Sequence, residues 1–173
     1  IATVDDQGIV TATGVGTTYI KVHNKQNDCY AAVKVQVNGE QGRTAAKIVG
    51  GGNHFVALKA NGEVWTWGYN GYGQLGIGNT ETKNRPTKTN IYNSKDETQS
   101  TYAIDVAAGY SHTLVLKSDG TVWAAGYNEY GQLGDSSTTN TSEFVQVTGI
   151  PEKVIAITAG GHSSYALTES GKV

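Results

Sequence analysis

Charge is scarce in this sequence. Asp, Glu, Lys and Arg make up 16% of its 173 residues, against about a quarter in ordinary globular chains. The 13 basic residues are scattered among 15 acidic ones, for a net charge of −2. Proteins that live on phosphate contacts gather Lys and Arg on one face, so nucleic acid is not an expected partner. Cysteine is nearly absent as well: Cys29 stands alone, which rules out an intramolecular disulfide and any cysteine-based metal site. There are two prolines and no methionine. No apolar run reaches the length of a membrane span, and no window combines helical periodicity with caps. The chain opens on the strand-like Ile1-Ala2-Thr3-Val4 without a leader and stops in the middle of a repeated motif at Ser170-Gly171-Lys172-Val173. Both ends therefore read as cuts in a larger protein.

What the sequence does have is 23 glycines, many Thr, Asn and Tyr residues, and an internal repeat. Gly51–Gly76 (GGNHFVALKANGEVWTWGYNGYGQLG) and Gly109–Gly134 (GYSHTLVLKSDGTVWAAGYNEYGQLG) are identical at 15 of 26 positions without a gap. Unrelated segments of ordinary composition would share about two. A third copy begins at Ala159, AGGHSSYALTESGKV. The spacing is 58 residues from His54 to His112 and 51 from Gly120 to Gly171. A period of this length is too long for helical solenoids and suits a propeller blade of four short strands. The details agree. Val56 and Leu58, like Leu114 and Leu116, share a strand face. Asn61-Gly62, Asp119-Gly120 and Ser170-Gly171 offer positive φ for tight hairpins. Val64-Trp65-Thr66-Trp67 and Val122-Trp123-Ala124-Ala125 follow as strands rich in β-formers. Ile104-Asp105-Val106 and Phe144-Val145-Gln146-Val147 fill the remaining strand slots.

The runs Gly109-Tyr110-Ser111-His112-Thr113-Leu114, Gly126-Tyr127-Asn128 and Gly131-Gln132-Leu133-Gly134 resemble the repeat of the regulator of chromosome condensation family. The resemblance covers residues 46–173, as blades 46–104, 105–155 and a partial 156–173. It implies an incomplete propeller, about two and a part blades of an expected seven. Its motif positions here are Gly51, His54, Gly62, Trp65, Gly68, Asn70, Gly73, Gln74, Leu75 and Gly76, with Gly109, His112, Gly120, Trp123, Gly126, Asn128, Gly131, Gln132, Leu133 and Gly134 in the second copy. Ser163 departs from it, filling the slot of His54 and His112 while His162 comes one place early. Pro86 has no counterpart in the second copy.

Residues 1–37 read differently. Val33, Val35 and Val37 alternate on one face, as do Ile20 and Val22, and Asp6-Gln7-Gly8 and Lys25–Asp28 break the strands. The order A-T-V-D-D-x-G-I-V-T-A-x-G-x-G-T-x-x-I resembles the second half of a bacterial Ig-like group 2 module. Residues 38–45 then form a polar linker. The expected fold is all-β: a partial Ig-like sandwich, then a partial propeller. The missing sandwich half and blades would come from the same chain or neighbouring ones.

Candidate chemistry is thin. Gly71-Tyr72-Gly73-Gln74-Leu75-Gly76 matches G-x-G-x-x-G, but no helix opens after it, so a dinucleotide site is not expected. His54 and His112 hold equivalent slots in different blades, which spreads them around a ring instead of converging on a metal. Their strand parity points them at an apolar face, with a hydrogen bond donated to nearby backbone. Asp5-Asp6, Asp96-Glu97 and Asp135 lack calcium-site spacing. No nucleophile–base arrangement occurs, so no catalytic residue, cofactor or metal is assigned. Trp65, Trp67 and Trp123 read as packing residues. Tyr69, Tyr72, Tyr127 and Tyr130 lie where strands give way to loops, and Tyr92 lies in an insertion around Asn90–Tyr102. Such amphipathic rings suit a binding rim for protein or glycan, although repeat register alone also explains them.

Together these readings describe a non-enzymatic display module on the bacterial exterior, an Ig-like stalk presenting a propeller, adhesin-like in role. The alternatives are a secreted propeller that inhibits an enzyme, a structural decoration of a filament or virion, and nucleotide exchange on a small GTPase, for which no residue here can be carried over.

Overall fold

The computed structural model describes residues 2–4, 10–12, 16–24, 29–37, 44–91 and 101–173. Backbone contacts divide the chain into two units, Ile1–Glu40 and Gln41–Val173. All described regular structure is extended, and no helix occurs among the described residues.

In the first unit β1 (Ala2–Val4) pairs antiparallel with β2 (Val10–Ala12), and β3 (Gly16–Asn24) with β4 (Cys29–Val37). The β3–β4 ladder runs without a slip from Gly16 opposite Val37 to Asn24 opposite Cys29. The alternating segments Ile20–Val22 and Tyr30–Val37 are therefore strands. The two predicted breaks, residues 6–8 and 25–28, lie outside the described residues, as does most of the linker.

In the second unit β5 (Lys47–Gly50), β6 (His54–Leu58), β7 (Val64–Gly68) and β8 (Lys83–Lys88) form one antiparallel sheet in sequence order. β9 (Ala103–Ala108), β10 (His112–Lys117), β11 (Val122–Gly126) and β12 (Thr141–Gln146) form a second of the same order. β13 (Val154–Gly160) and β14 (Ser163–Thr168) make a two-stranded third. The hairpin turns are built as their glycines require. Gly62, Gly120 and Gly171 have φ of 82°, 84° and 85°, closing a type I turn with a left-handed residue. Only the glycine of each predicted turn pair takes positive φ; Asn61 and Asp119 instead accept backbone N–H bonds two residues on. Pro86 sits in the edge strand β8, opposite the register slip between Thr66 and Gly68, where a missing N–H costs no ladder bond.

The sheets stack face to face. Val56, Leu58 and Val64 of the first meet Val106 and Val115 of the second, with Ile91 and Ala103 completing the cluster. Leu114, Leu116, Val122 and Ala124 of the second meet Val154 and Ile157 of the third, over Leu133. Burying one such Leu or Val contributes about 1.5–3 kcal/mol, so these two interfaces are the core. Ile91, which opens the insertion, is part of it; residues 92–100, including Tyr92, lie outside the described residues. Equivalent backbone atoms join neighbouring sheets: Gly52 N–H donates to Tyr110 O, and Tyr110 N–H to Gly161 O. Thr44, placed in the linker by sequence, donates its hydroxyl to Ile104 O.

The outer face of the first sheet has no such cover within the second unit. Ile48 is 69% and Phe55 47% exposed, and Phe55 stacks on Trp67 at 5.5 Å. Trp123 packs into the interface cluster. Trp65 and Trp67, on the strand face opposite Val64 and Thr66, stay half-buried.

Candidate functional site: an aromatic rim on repeated loops

The loops after β7 and β11 are organised from within by asparagine. Asn70 Oδ1 accepts from Leu75 N–H (2.9 Å), while its Nδ2 donates to Asn79 O and Glu81 O. Asn128 repeats this, taking Leu133 N–H at 2.9 Å and donating to Asp135 Oδ1, Ser137 O and Thr139 O. Both amides are fully buried, and each replaces backbone partners that an irregular loop cannot find in a ladder. Gln74 and Gln132 accept from Tyr72 and Tyr130 N–H, and Leu75 and Leu133 plug the loops into the core. Asp135 serves this scaffold, accepting from Ser137 N–H and hydroxyl. Gly73 and Gly76 seat the first loop on the second blade, where a Cβ would strike Ser142 and Phe144.

The histidines link neighbouring blades. His54 Nε2 lies 2.9 Å from Thr113 Oγ1, which donates to Gln74 O at 2.7 Å. His112 Nε2 lies 2.9 Å from Ser164 Oγ, which donates to Gln132 O at 2.7 Å. Because each hydroxyl proton goes to a carbonyl, each imidazole donates from Nε2. The expected bond straight to backbone is thus corrected: a hydroxyl of the next blade stands between. The two Nδ1 atoms, and Nε2 of Gln74 and Gln132, have no protein hydrogen-bond partner. Burial, followed by the charge of His112 for His54 and of His162 for His112, lowers both imidazoles to about 4. Gly51 and Gly109 make room for these rings, since a Cβ there would lie 2.3 and 2.1 Å from Cε1.

On this scaffold the tyrosines form one continuous ridge. Ring centroids are 6.1 Å apart for Tyr69–Tyr72, 4.9 Å for Tyr72–Tyr127 and 5.9 Å for Tyr127–Tyr130, all edge-on. The Tyr72–Tyr127 contact crosses from the first blade to the second. His162 of the third blade continues the ridge, 5.3 Å from Tyr130, 5.8 Å from Tyr127 and 5.9 Å from Tyr110. Tyr69, Tyr72, Tyr110 and Tyr130 are exposed, Tyr130 at 71%. Tyr127 donates its hydroxyl to Glu129 at 2.8 Å; that bond, ahead of desolvation, pushes the phenol up to about 12. Of the five tyrosines picked out from sequence, the structure brings four together.

Sequence reasoning missed Tyr110 and left His162 without partners. The signal was there in the alignment of copies. His162 occupies the slot of Asn53 and Ser111, whose carbonyls accept the N–H of Tyr69 and Tyr127, so a side chain in that slot stands beside the tyrosine row. Among the described residues no group of three or more His, Cys, Asp or Glu is placed to hold a metal.

A family model described as the regulator of chromosome condensation (RCC1) repeat matches residues 61–116 and 119–167, and a second model of that description matches 45–74 and 103–132. Among curated proteins, the Ultraviolet-B receptor UVR8 of Arabidopsis thaliana is 28% identical over 143 residues, covering 82% of this chain and 31% of the receptor. The X-linked retinitis pigmentosa GTPase regulator of Canis lupus familiaris is 33% identical over 125 residues, 71% of this chain and 12% of that protein. The E3 ubiquitin-protein ligase HERC2 of Homo sapiens is 29% identical over 163 residues, 91% of this chain and 3% of the ligase. The chain thus spans under a third of each of these relatives. Among solved structures, human WBSCR16 matches with a TM-score of 0.64 at 20% identity, covering 79% of this chain and 34% of that one. Prp20p of Saccharomyces cerevisiae matches with a TM-score of 0.61 at 18% identity, covering 97% and 41%.

Proposed function

Since the chain belongs to the regulator of chromosome condensation repeat family, we propose that it is a protein-binding propeller segment, not an enzyme, and that its contact surface is the tyrosine ridge on the loops after β7 and β11. The observation that carries this reading is the ridge itself: rings from three blades, most of them exposed, in unbroken contact, held by fully buried Asn70 and Asn128. Rigid aromatic rings on a fixed scaffold bury large area on docking at little entropic cost, which is why interfaces favour them. Solved structures of similar fold include a complex, yeast RCC1 (Prp20) with Kap60 bound.

The wider setting belongs to the same proposal. The resemblance of residues 1–37 to a bacterial Ig-like module supports a stalk that presents the propeller outside a bacterial cell, in an adhesin-like role. The test is binding of the fluorescently labelled chain to target cells pretreated with protease or with glycosidase, compared with a Tyr72→Ala/Tyr130→Ala variant of unchanged Tm. Protein recognition requires binding that protease abolishes and glycosidase leaves, with at least a tenfold loss in the variant. Equal binding by wild type and variant would overturn the assignment of the ridge.

A further inference from the structure

The ridge has a sign. Loop residues 51–53, 69–82, 109–111, 127–140 and 160–163 include Glu81, Glu129 and Asp135 but neither Lys nor Arg. The hairpins at the other end of the blades balance Lys59, Lys117 and Lys172 with Glu63, Asp119 and Glu169. The three rim carboxylates are not equivalent. Glu81 is paired with Lys83 at 2.8 Å, and Asp135 is turned into its own loop by Asn128 and Ser137. Glu129 stands exposed between Tyr127 and Tyr130. It accepts the Tyr127 hydroxyl, which leaves most of the acceptor capacity of a carboxylate open.

Tyr130, 71% exposed, and half-buried Tyr127 present ring surface to solvent beside Glu129. A cation within about 6 Å of such a face is attracted by the ring quadrupole, and a carboxylate beside it adds charge. The protein uses this combination internally at its opposite end. Lys59 Nζ lies 5.4 Å from the Trp65 ring and 2.8 Å from Glu63, which also accepts Trp65 Nε1–H. In the second blade Lys117 lies 4.3 Å over Trp123.

Resting on the reading of the ridge as a protein-binding surface, we propose that its occupant is a basic segment of a protein partner, with an arginine or lysine cation seated over Tyr130 and Tyr127 and reaching Glu129. An anionic occupant, such as a phosphorylated segment, would find no Lys or Arg on these loops.

The test titrates the full chain with a Gly-Arg-Gly-Arg-Gly peptide and with its citrulline counterpart, neutral and of the same shape, following the tyrosine ring signals by NMR. The arginine peptide shifts Tyr127, Tyr130 and Tyr110 resonances and binds at least tenfold more tightly than the citrulline peptide. Glu129→Gln, which keeps an acceptor for the Tyr127 hydroxyl and hence the Tm, weakens it at least fivefold, and raised salt weakens it further. Should Glu129→Gln lower the Tm, Tyr127→Phe, which frees the carboxylate, serves instead and strengthens arginine binding. Equal binding of the two peptides, or none by either, overturns the cation assignment. If a partner found by the cell assay still depends on Tyr130 but ignores Glu129→Gln, the ridge stands and the basic occupant falls. If Tyr72→Ala/Tyr130→Ala has no effect on that partner, the ridge falls too.

Discussion

The first and second blades share a backbone plan and 15 of 26 motif residues, yet they differ on one sheet face, which in the second blade lies against the first. Thr113, Val115 and Ala125 of the second sheet lie against the first. Their counterparts Phe55, Ala57 and Trp67 are bulkier in sum, and Phe55 offers no hydroxyl. The shared positions include loop hubs, hairpin glycines and the donor histidine, the last reaching into the next blade. On that face the second sheet is covered by the first, whereas the first sheet has no cover within the second unit, and the residues that differ there follow that difference.

The broadest way to break this comparison is acid. His54 and His112 stay neutral in the fold down to about 4, whereas unfolded imidazoles protonate below about 6.5. Between those values the unfolded chain binds more protons, so stability is full above 6.5 and falls as pH drops to 4. The slope is up to about 1.4 kcal/mol per pH unit for each histidine. Urea midpoints from pH 7 to 4 check this, and a His54→Gln/His112→Gln variant should flatten the curve in that window. Next in size is Asn128→Ala, which orphans the buried Leu133 N–H and frees the loop, costing about 3 kcal/mol; Asn70→Ala should match it if the hubs are equivalent. Thr113→Val leaves His54 Nε2 and Gln74 O without their shared hydroxyl and should cost about 2 kcal/mol. Phe55→Thr, the reverse exchange on an exposed face, should cost about 1 kcal/mol or less. Equal losses for this pair would remove the distinction between the two faces. The smallest effect is spectroscopic. Tyr127 should ionise near 12, and Glu129→Gln should bring it down without altering the melting temperature.

How much of this could be read beforehand follows the range of the interactions. Strands and hairpins rest on alternation and turn chemistry, visible within a few residues, and their order on the repeat. The same holds for β1, β3 and β4, whereas β2, only three residues long, was not read as a strand. The histidine targets were not visible, because Thr113 is 59 residues from His54 and Ser164 is 52 from His112; parity gave the face but not the atom waiting on it. The role of Asn70 and Asn128 was hidden in a motif that could be recognised before it could be explained. His162 was missed because it was judged by neighbours in sequence, whereas its ring contacts come from the preceding blade.

The passage of a proton donor from His54 to Thr113, and from His112 to Ser164, bears on how such a chain can evolve. Stretches this alike invite unequal recombination, which deletes, duplicates or reorders copies at the level of the gene. A product that set the first copy after the second would bring the His112 imidazole N–H against the benzene ring of Phe55, burying a donor with no acceptor. One polar atom per junction therefore makes the order of the copies matter to stability, since an unpaired buried donor costs about 1–3 kcal/mol.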